Sequence, residues 1–211
     1  MADSQFSLLN LPARSRHADH KYRSAATRGR PGVLPATAAD IPAVETMTLA
    51  RSTWLEEQGL PSWRENAAEL ARQAENPDGD VWVLASDNGK IIGCTTVQEH
   101  TPPWGWTDEE LSEPAHYLYT SVTDPAYREK KPGTLMALWA VDRAAQQGKQ
   151  WVRRGCNFPG LVAYNRTQGF ELLHEVQRTH GRIYLMGRRA GQVADLQERF
   201  AALWARPGRG R

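Results

Sequence analysis

Ser121 to Ala145 reads SVTDPAYREKKPGTLMALWAVDRAA. Its β-rich start breaks at Asp124-Pro125, and Leu135, Met136, Leu138, Trp139 and Val141 then make the next turns apolar on most sides. The stretch therefore predicts a strand, a short basic loop and a buried helix running from about Gly133 to Gln147 and stopping at Gly148. Arg128, Lys130, Lys131 and Gly133 stand where the helix begins. A helix N-terminus offers unpaired N–H groups and the positive end of a dipole, both of which favour bound phosphate. Gly133 lets the backbone approach a ligand closely. The same residues suit a solvated loop with a turn glycine, and taken alone the stretch leaves both readings open.

Upstream, Gly32–Pro35 predicts a short strand, and Asp40 with Pro42 behind it predicts the start of a helix. A second helix is expected after Pro61, in SWRENAAELARQA. Val81–Ser86 and Ile91–Val97 flank Asn88-Gly89 and predict a hairpin. A loop rich in proline, tryptophan and acid, TPPWGWTDEELSEP, leads to the strand AHYLYTSVT. Downstream lie the strand QWVRRGC, the short helix LVAYNRTQ, an antiparallel pair FELLHEVQR and RIYLMGR, and an amphipathic helix in VADLQERFAALWA. This order predicts a mixed sheet flanked by helices, an α/β or α+β single domain over residues 32–190. Residues 1–31 are expected to form a basic, disordered tail, and residues 191–211 a helix with a basic end.

The chain has 211 residues, room for one ordinary domain, and a net charge of +2, too small to mark the whole as a polyanion binder. The charge is uneven: Arg14 to Arg30 carries six Lys or Arg against one acidic residue. Nucleic-acid binding would have to come from that tail, because the folded part shows no matching motif. No apolar run is long enough to span a membrane, and the first twenty residues do not read as a secretory signal, so the expected compartment is the cytoplasm. Cys94 and Cys156 sit in apolar strands and read as buried thiols. Neither has a second ligand at zinc spacing, so no metal is expected.

The REKKPGT turn resembles the first signature of the GNAT acetyltransferase superfamily, a strand followed by Arg-x-x-Gly-x-Gly or Ala and a helix, with Arg128, Lys131 and Gly133 as the matching residues. About forty residues on, LVAYNRTQGFELLHE is similar to that family's second signature. The hairpin and the DIPAVETM opening keep the family's order, so the resemblance covers Gly32 to Arg189. It implies a central, mostly antiparallel sheet in which two parallel strands, Tyr117–Thr123 and Gln150–Cys156, splay apart. It also implies acetyl-CoA or another acyl-CoA as co-substrate, with the pantetheine between those strands and the pyrophosphate on Arg128, Lys130, Lys131, Gly133 and Thr134. The thioester carbonyl would meet a strand N–H near Val122. Asn157 is a further candidate cofactor contact, one place from where the family often has such an Asn, a slot that Phe158 takes here.

Two departures bear on the chemistry. Lys131 replaces the first family glycine, and Pro132 removes one N–H from the cradle. Asn165 stands where the family's general-acid Tyr is common, with Tyr164 its neighbour. Adjacent helical residues point about 100° apart, so Tyr164 reads either as an acid or as a core residue. Asn165 could bond the cofactor sulfur or a water, but it cannot donate a proton as a phenol does.

Acyl transfer needs a neutral amine, which near pKa 10.4 is disfavoured at neutral pH by about 4–5 kcal/mol. Glu99 is the leading candidate base, with His100, His116, Tyr117 and Asp124 nearby in sequence. Trp104, Trp106 and Tyr119, with the acids Asp108 to Glu113, could form a wall for a cationic acceptor, or could be packed aromatics beside a solvated edge. Trp54 and Trp63 read as cleft lining or core. The expectation is an N-acyltransferase acting by direct attack of a small-molecule or peptide amine, with no membrane partner. A catalytically silent acyl-CoA-binding or regulatory module is the alternative, and a homodimer is left open.

Overall fold

The computed structural model describes residues 32–75, 80–86, 88–179 and 181–204. The expected basic tail, residues 1–31, lies outside them. Seven strands form one sheet: β1 (Gly32–Pro35), β2 (Val81–Ala85), β3 (Ile91–Gln98), β4 (Ala115–Thr123), β5 (Trp151–Cys156), β6 (Glu171–Arg178) and β7 (Gly181–Arg189), in the order β1-β2-β3-β4-β5-β7-β6. Every pairing is antiparallel except β4 with β5. That exception follows from the connection, because parallel neighbours need a crossover and the apolar run after Pro132 supplies a helical one.

The helices are α1 (Ile41–Glu57), α2 (Ala67–Arg72), α3 (Asp108–Ser112), α4 (Pro132–Gln146), α5 (Pro159–Arg166) and α6 (Leu196–Trp204). Asp40 precedes α1 as expected, but its carboxylate reaches back to the Thr37 amide at 2.7 Å. The one described helix that the sequence reading lacked is α3. Thr107 caps it by accepting from the Glu110 amide, while Glu110 reaches back to the Thr107 amide, a pattern that was present in the sequence as Thr-x-x-Glu. No described helix is long and apolar enough to cross a membrane.

On one face, Val44 and Met47 of α1 and Leu70 and Ala71 of α2 cover Val81, Val83, Cys94 and Val122, with Trp63 packed alongside. On the other, Ala137, Ala140 and Val141 of α4 lie against Leu118 and Val152. Leu196, Phe200 and Leu203 of α6 meet Leu84, Ile92 and Met136 there, so the segment after β7 closes onto the domain.

Two irregularities in β4 shape the centre. Thr95 pairs with Ser121 but Val97 pairs with Leu118, so two steps along β3 match three along β4. That extra residue is a β-bulge at Tyr119–Thr120, which breaks the ladder and switches which residues face α4. The parallel ladder then ends: Ala115–Leu118 pair with Trp151–Arg154, and β5 continues to Cys156 against β7 alone. Beyond Leu118 and Arg154 the two parallel strands part.

Candidate active site

The basic turn lies beside this opening. Pro125–Lys130 form a tight helical turn begun by Asp124, which accepts from the Ala126 amide, and Lys131 then takes φ 51°, ψ 51° before α4 starts. Lys131 is the only non-glycine among the described residues with positive φ. The position that replaces a family glycine thus keeps a glycine's conformation. The Thr134 and Leu135 amides return to the Lys131 carbonyl, and Pro132 has no amide, so Gly133 supplies the helix-end donor.

The cationic groups divide. Lys131 and Arg128 are exposed at the turn, with Arg128 beside Glu129 at 3.1 Å. Lys130 instead donates to the Leu203 carbonyl at 2.7 Å and closes the end of α6. Sequence reasoning missed Arg51 of α1. It stacks on Trp54 at 4.3 Å, and its charge senses both Arg128 and Tyr164, while burial pulls its pKa down.

Tyr164 is exposed, so the core reading does not hold. Its hydroxyl lies 3.2 Å from Thr134 Oγ1 and sits where a side chain on Gly133 would fall, 2.9 Å from an ideal Cβ. It therefore crowns the start of α4. Phe158, just before α5, and Leu161 on it are exposed at three-residue spacing with Tyr164, and make an apolar rail along its open side. Asn157, just before α5, is exposed as well.

Asn165 faces the other way. It is 1% exposed, and its amide nitrogen lies 3.6 Å from Met186 Sδ and 3.8 Å from Cys156 Sγ, with Oδ1 sealed and unbonded. Val122 is buried against the α1 face. Because the Asp124 amide donates to the Ile92 carbonyl, strand alternation sends the Val122 amide toward β3 and those of Ser121 and Thr123 toward the open side.

Trp104, Trp106 and Tyr119 do come together on the sheet face opposite α4, with Tyr117, Leu185 and Val176. Trp106 is packed there, 4.9 Å from the Arg153 guanidinium, whereas Trp104 lies at the rim under Arg178. Tyr117 sets its hydroxyl against Gly155 at the edge of the opening, 2.9 Å from where a Cβ would stand. Burial raises the pKa of both Tyr117 and Tyr119, so both phenols keep their protons at neutral pH.

Glu99 is not brought to this opening. It sits at the far end of α4, 2.6 Å from Lys149 and 3.6 Å from the buried His116. His116 is the largest influence on it. Lys149 adds to that against the opposing effect of burial, and the carboxyl is held down to about 2. The Lys149 contact is the firmer, since 3.6 Å is long for a hydrogen bond.

Residues 45–170 match the model of the Acetyltransferase (GNAT) family. A search of the curated proteins returned no match. Among solved structures, a GNAT-family acetyltransferase from Listeria monocytogenes is 17% identical, with 74% of this chain and 93% of that one covered and a TM-score of 0.58. A Corynebacterium glutamicum protein described as histone acetyltransferase HPA2 and related acetyltransferase is 18% identical over 78% of this chain and 99% of its own, at TM-score 0.54. The ribosomal-protein-S18-alanine N-acetyltransferase of Escherichia coli is 14% identical over 77% and 96%, at TM-score 0.51. At these identities the structures speak for the fold alone. The family match spans more than half of the sequence, and with the bulged, splayed strands it places this chain in the acetyltransferase (GNAT) family.

Proposed function

We propose that the protein is an acyl-CoA-dependent N-acyltransferase that moves an acetyl or longer acyl group to an amine by direct attack. The observation that carries this is the parting of β4 from β5 immediately beside the cationic start of α4. The donor's diphosphate fits the Gly133 amide, Lys131, Arg128 and Arg51, with the Thr134 and Tyr164 hydroxyls as further donors. Its pantetheine fits the rail of Phe158, Leu161 and Tyr164. Amides of β4 past the bulge, freed from β5, are placed to polarise the thioester carbonyl.

The acceptor enters from the opposite face, past Trp104 and Tyr119. Its nitrogen lone pair attacks the carbonyl carbon, the C–N bond forms as the C–S bond breaks, and the proton lost by nitrogen ends on the departing thiolate. The Tyr117 and Tyr119 phenols act there as hydrogen-bond donors that keep their own protons, since burial raises their pKa. Glu99, ionised and tied to Lys149, acts as a structural anchor at the far end of α4, away from the opening. Positioning supplies much of the rate without a phenol at Asn165.

The buried Asn165 favours a second reading, a silent acyl-CoA-binding module. One experiment separates the two: titration of the purified protein with acyl-CoAs, followed by an amine panel scored for free thiol. Binding with amine-dependent thiol release supports the enzyme, binding without release supports the silent module, and no binding ends both readings.

A further inference from the structure

β5 presents two consecutive arginines to opposite faces of the sheet, and their surroundings could hardly differ more. Arg153 is wholly buried and engaged through its two terminal nitrogens: they donate to Thr101, the Glu110 carbonyl and the Glu113 carboxylate, beside the Trp106 and Trp151 rings. Arg154 forms the last parallel pair, with Leu118, at the point where the strands part. Its guanidinium stands 5.7 Å from the Phe170 ring, and among the described residues it has no carboxylate or hydrogen-bond acceptor. Its Nε, like that of Arg153, is sealed from solvent and unbonded, while the residue as a whole is half-buried. The groups that act on it electrostatically are the Cys156 thiol and the Tyr164 and Tyr117 phenols.

Arg154 is half-buried, and a cation held partly away from water with no acceptor costs stability that an arginine cannot escape by shedding its proton near neutral pH. No described residue supplies an anion to it, so an anionic partner would come from a ligand. The diphosphate already has a place at the start of α4, around Gly133 and Thr134. Arg154 lies instead at the closed end of the opening and leans toward Phe170, which follows α5, so the part of a donor that reaches it is the acyl end.

We propose that Arg154 receives the carboxylate of an acidic acyl group, so that the preferred donor is a dicarboxylic half-thioester such as malonyl- or succinyl-CoA rather than acetyl-CoA. The inference rests on the acyl-CoA reading above. A planar guanidinium suits a carboxylate bidentately, and charge assistance strengthens the pairing.

The test is calorimetric titration of the full chain, and of Arg154→Gln and Arg154→Met, with CoA, acetyl-CoA, malonyl-CoA and succinyl-CoA. The wild type is expected to bind one of the acidic esters at least about tenfold tighter than acetyl-CoA, and both variants to bring that ratio within about twofold while leaving CoA and acetyl-CoA affinity intact. A wild-type ratio near one overturns the proposal, as does an equal loss for all four ligands, which would put Arg154 on the phosphates. Should the wild type bind no CoA species, the acyl-CoA reading itself falls first. Thermal melting gives a second readout. Ligand-free Arg154→Met is expected to melt above the wild type, and a lower melting point would make the arginine a requirement of the fold.

Discussion

The Tyr164 hydroxyl lies 3.2 Å from the Thr134 hydroxyl, joining the open side of α5 to the first turn of α4. This contact places the phenol of the second family signature at the mouth of the site. Tyr164→Phe is therefore expected to weaken acyl-CoA binding by about two- to tenfold, the worth of one hydrogen bond, and to leave kcat near the wild-type value. Steady-state kinetics with varied donor checks this; a fall in kcat at unchanged KM would return Tyr164 to the chemical step.

Lys131 holds a left-handed backbone at φ 51°. That conformation costs a residue with a Cβ about 1–2 kcal/mol, which glycine avoids. Lys131→Gly is expected to raise the melting temperature and, by removing an exposed charge beside the helix start, to weaken donor binding most at low salt. Melting curves and titrations at two ionic strengths measure both effects on one variant.

Lys130, one residue earlier, has a different task. Its ammonium closes α6 through the Leu203 carbonyl at 2.7 Å. Lys130→Met is expected to lower stability by about 0.5–1.5 kcal/mol and to change donor affinity little. Denaturant unfolding beside the same titrations tests the contrast with Lys131. A large affinity loss at Lys130 would show that the lysine leaves α6 when the donor binds.

Acid should act through Glu99. Its folded-state pKa of about 2 lies below the ordinary 4.5, so its contribution is complete above pH 4.5 and is lost as pH falls from there toward 2. The carboxylate is more than a third exposed, which limits the effect at neutral pH to below about 1 kcal/mol. Glu99→Gln is expected to flatten that acid limb of the stability curve while turnover at pH 7 stays within a few-fold. Loss of turnover in Glu99→Gln with folding intact would make Glu99 the base after all.

The run from Ser121 to Ala145 was readable because strand, turn and helix each left a local signal, and β4 and α4 came within a residue of expectation. The second signature was readable only in outline. Whether Tyr164 or Asn165 faces the cleft depends on the helical phase, which starts at Pro159 and so aligns Tyr164 with Leu161. The sequence resemblance implied the splay, but the bulge at Tyr119–Thr120 is a matter of pairing with β3, so no local signal could place Val122 and its amide. Glu99 illustrates the same limit. Its position at a strand end was right, yet its partner Lys149 lies 50 residues away. The double arginine in VRRGC was visible as charge in an apolar strand, but only the sheet shows that one has a carboxylate partner and the other has none among the described residues.

Arg153 anchors the loop between β3 and β4 over the acceptor face. It holds the Glu110 carbonyl and the Glu113 carboxylate while Glu110 itself meets His174 at 2.8 Å, and Trp106 packs against both the guanidinium and the imidazole. Arg153→Met strands the Glu110 carbonyl and the partly exposed Glu113 carboxylate, at a cost of about 1–3 kcal/mol, so it should destabilise the chain clearly. Arg153→Met with Glu113→Gln should recover part of that loss, because the second change removes the stranded charge. Denaturant unfolding of the two single variants and the pair closes the cycle, and limited proteolysis between Thr101 and Pro114 reports whether the loop has lifted. Simple additivity of the two changes would mean that the loop is held by its tryptophans and not by the ion pair.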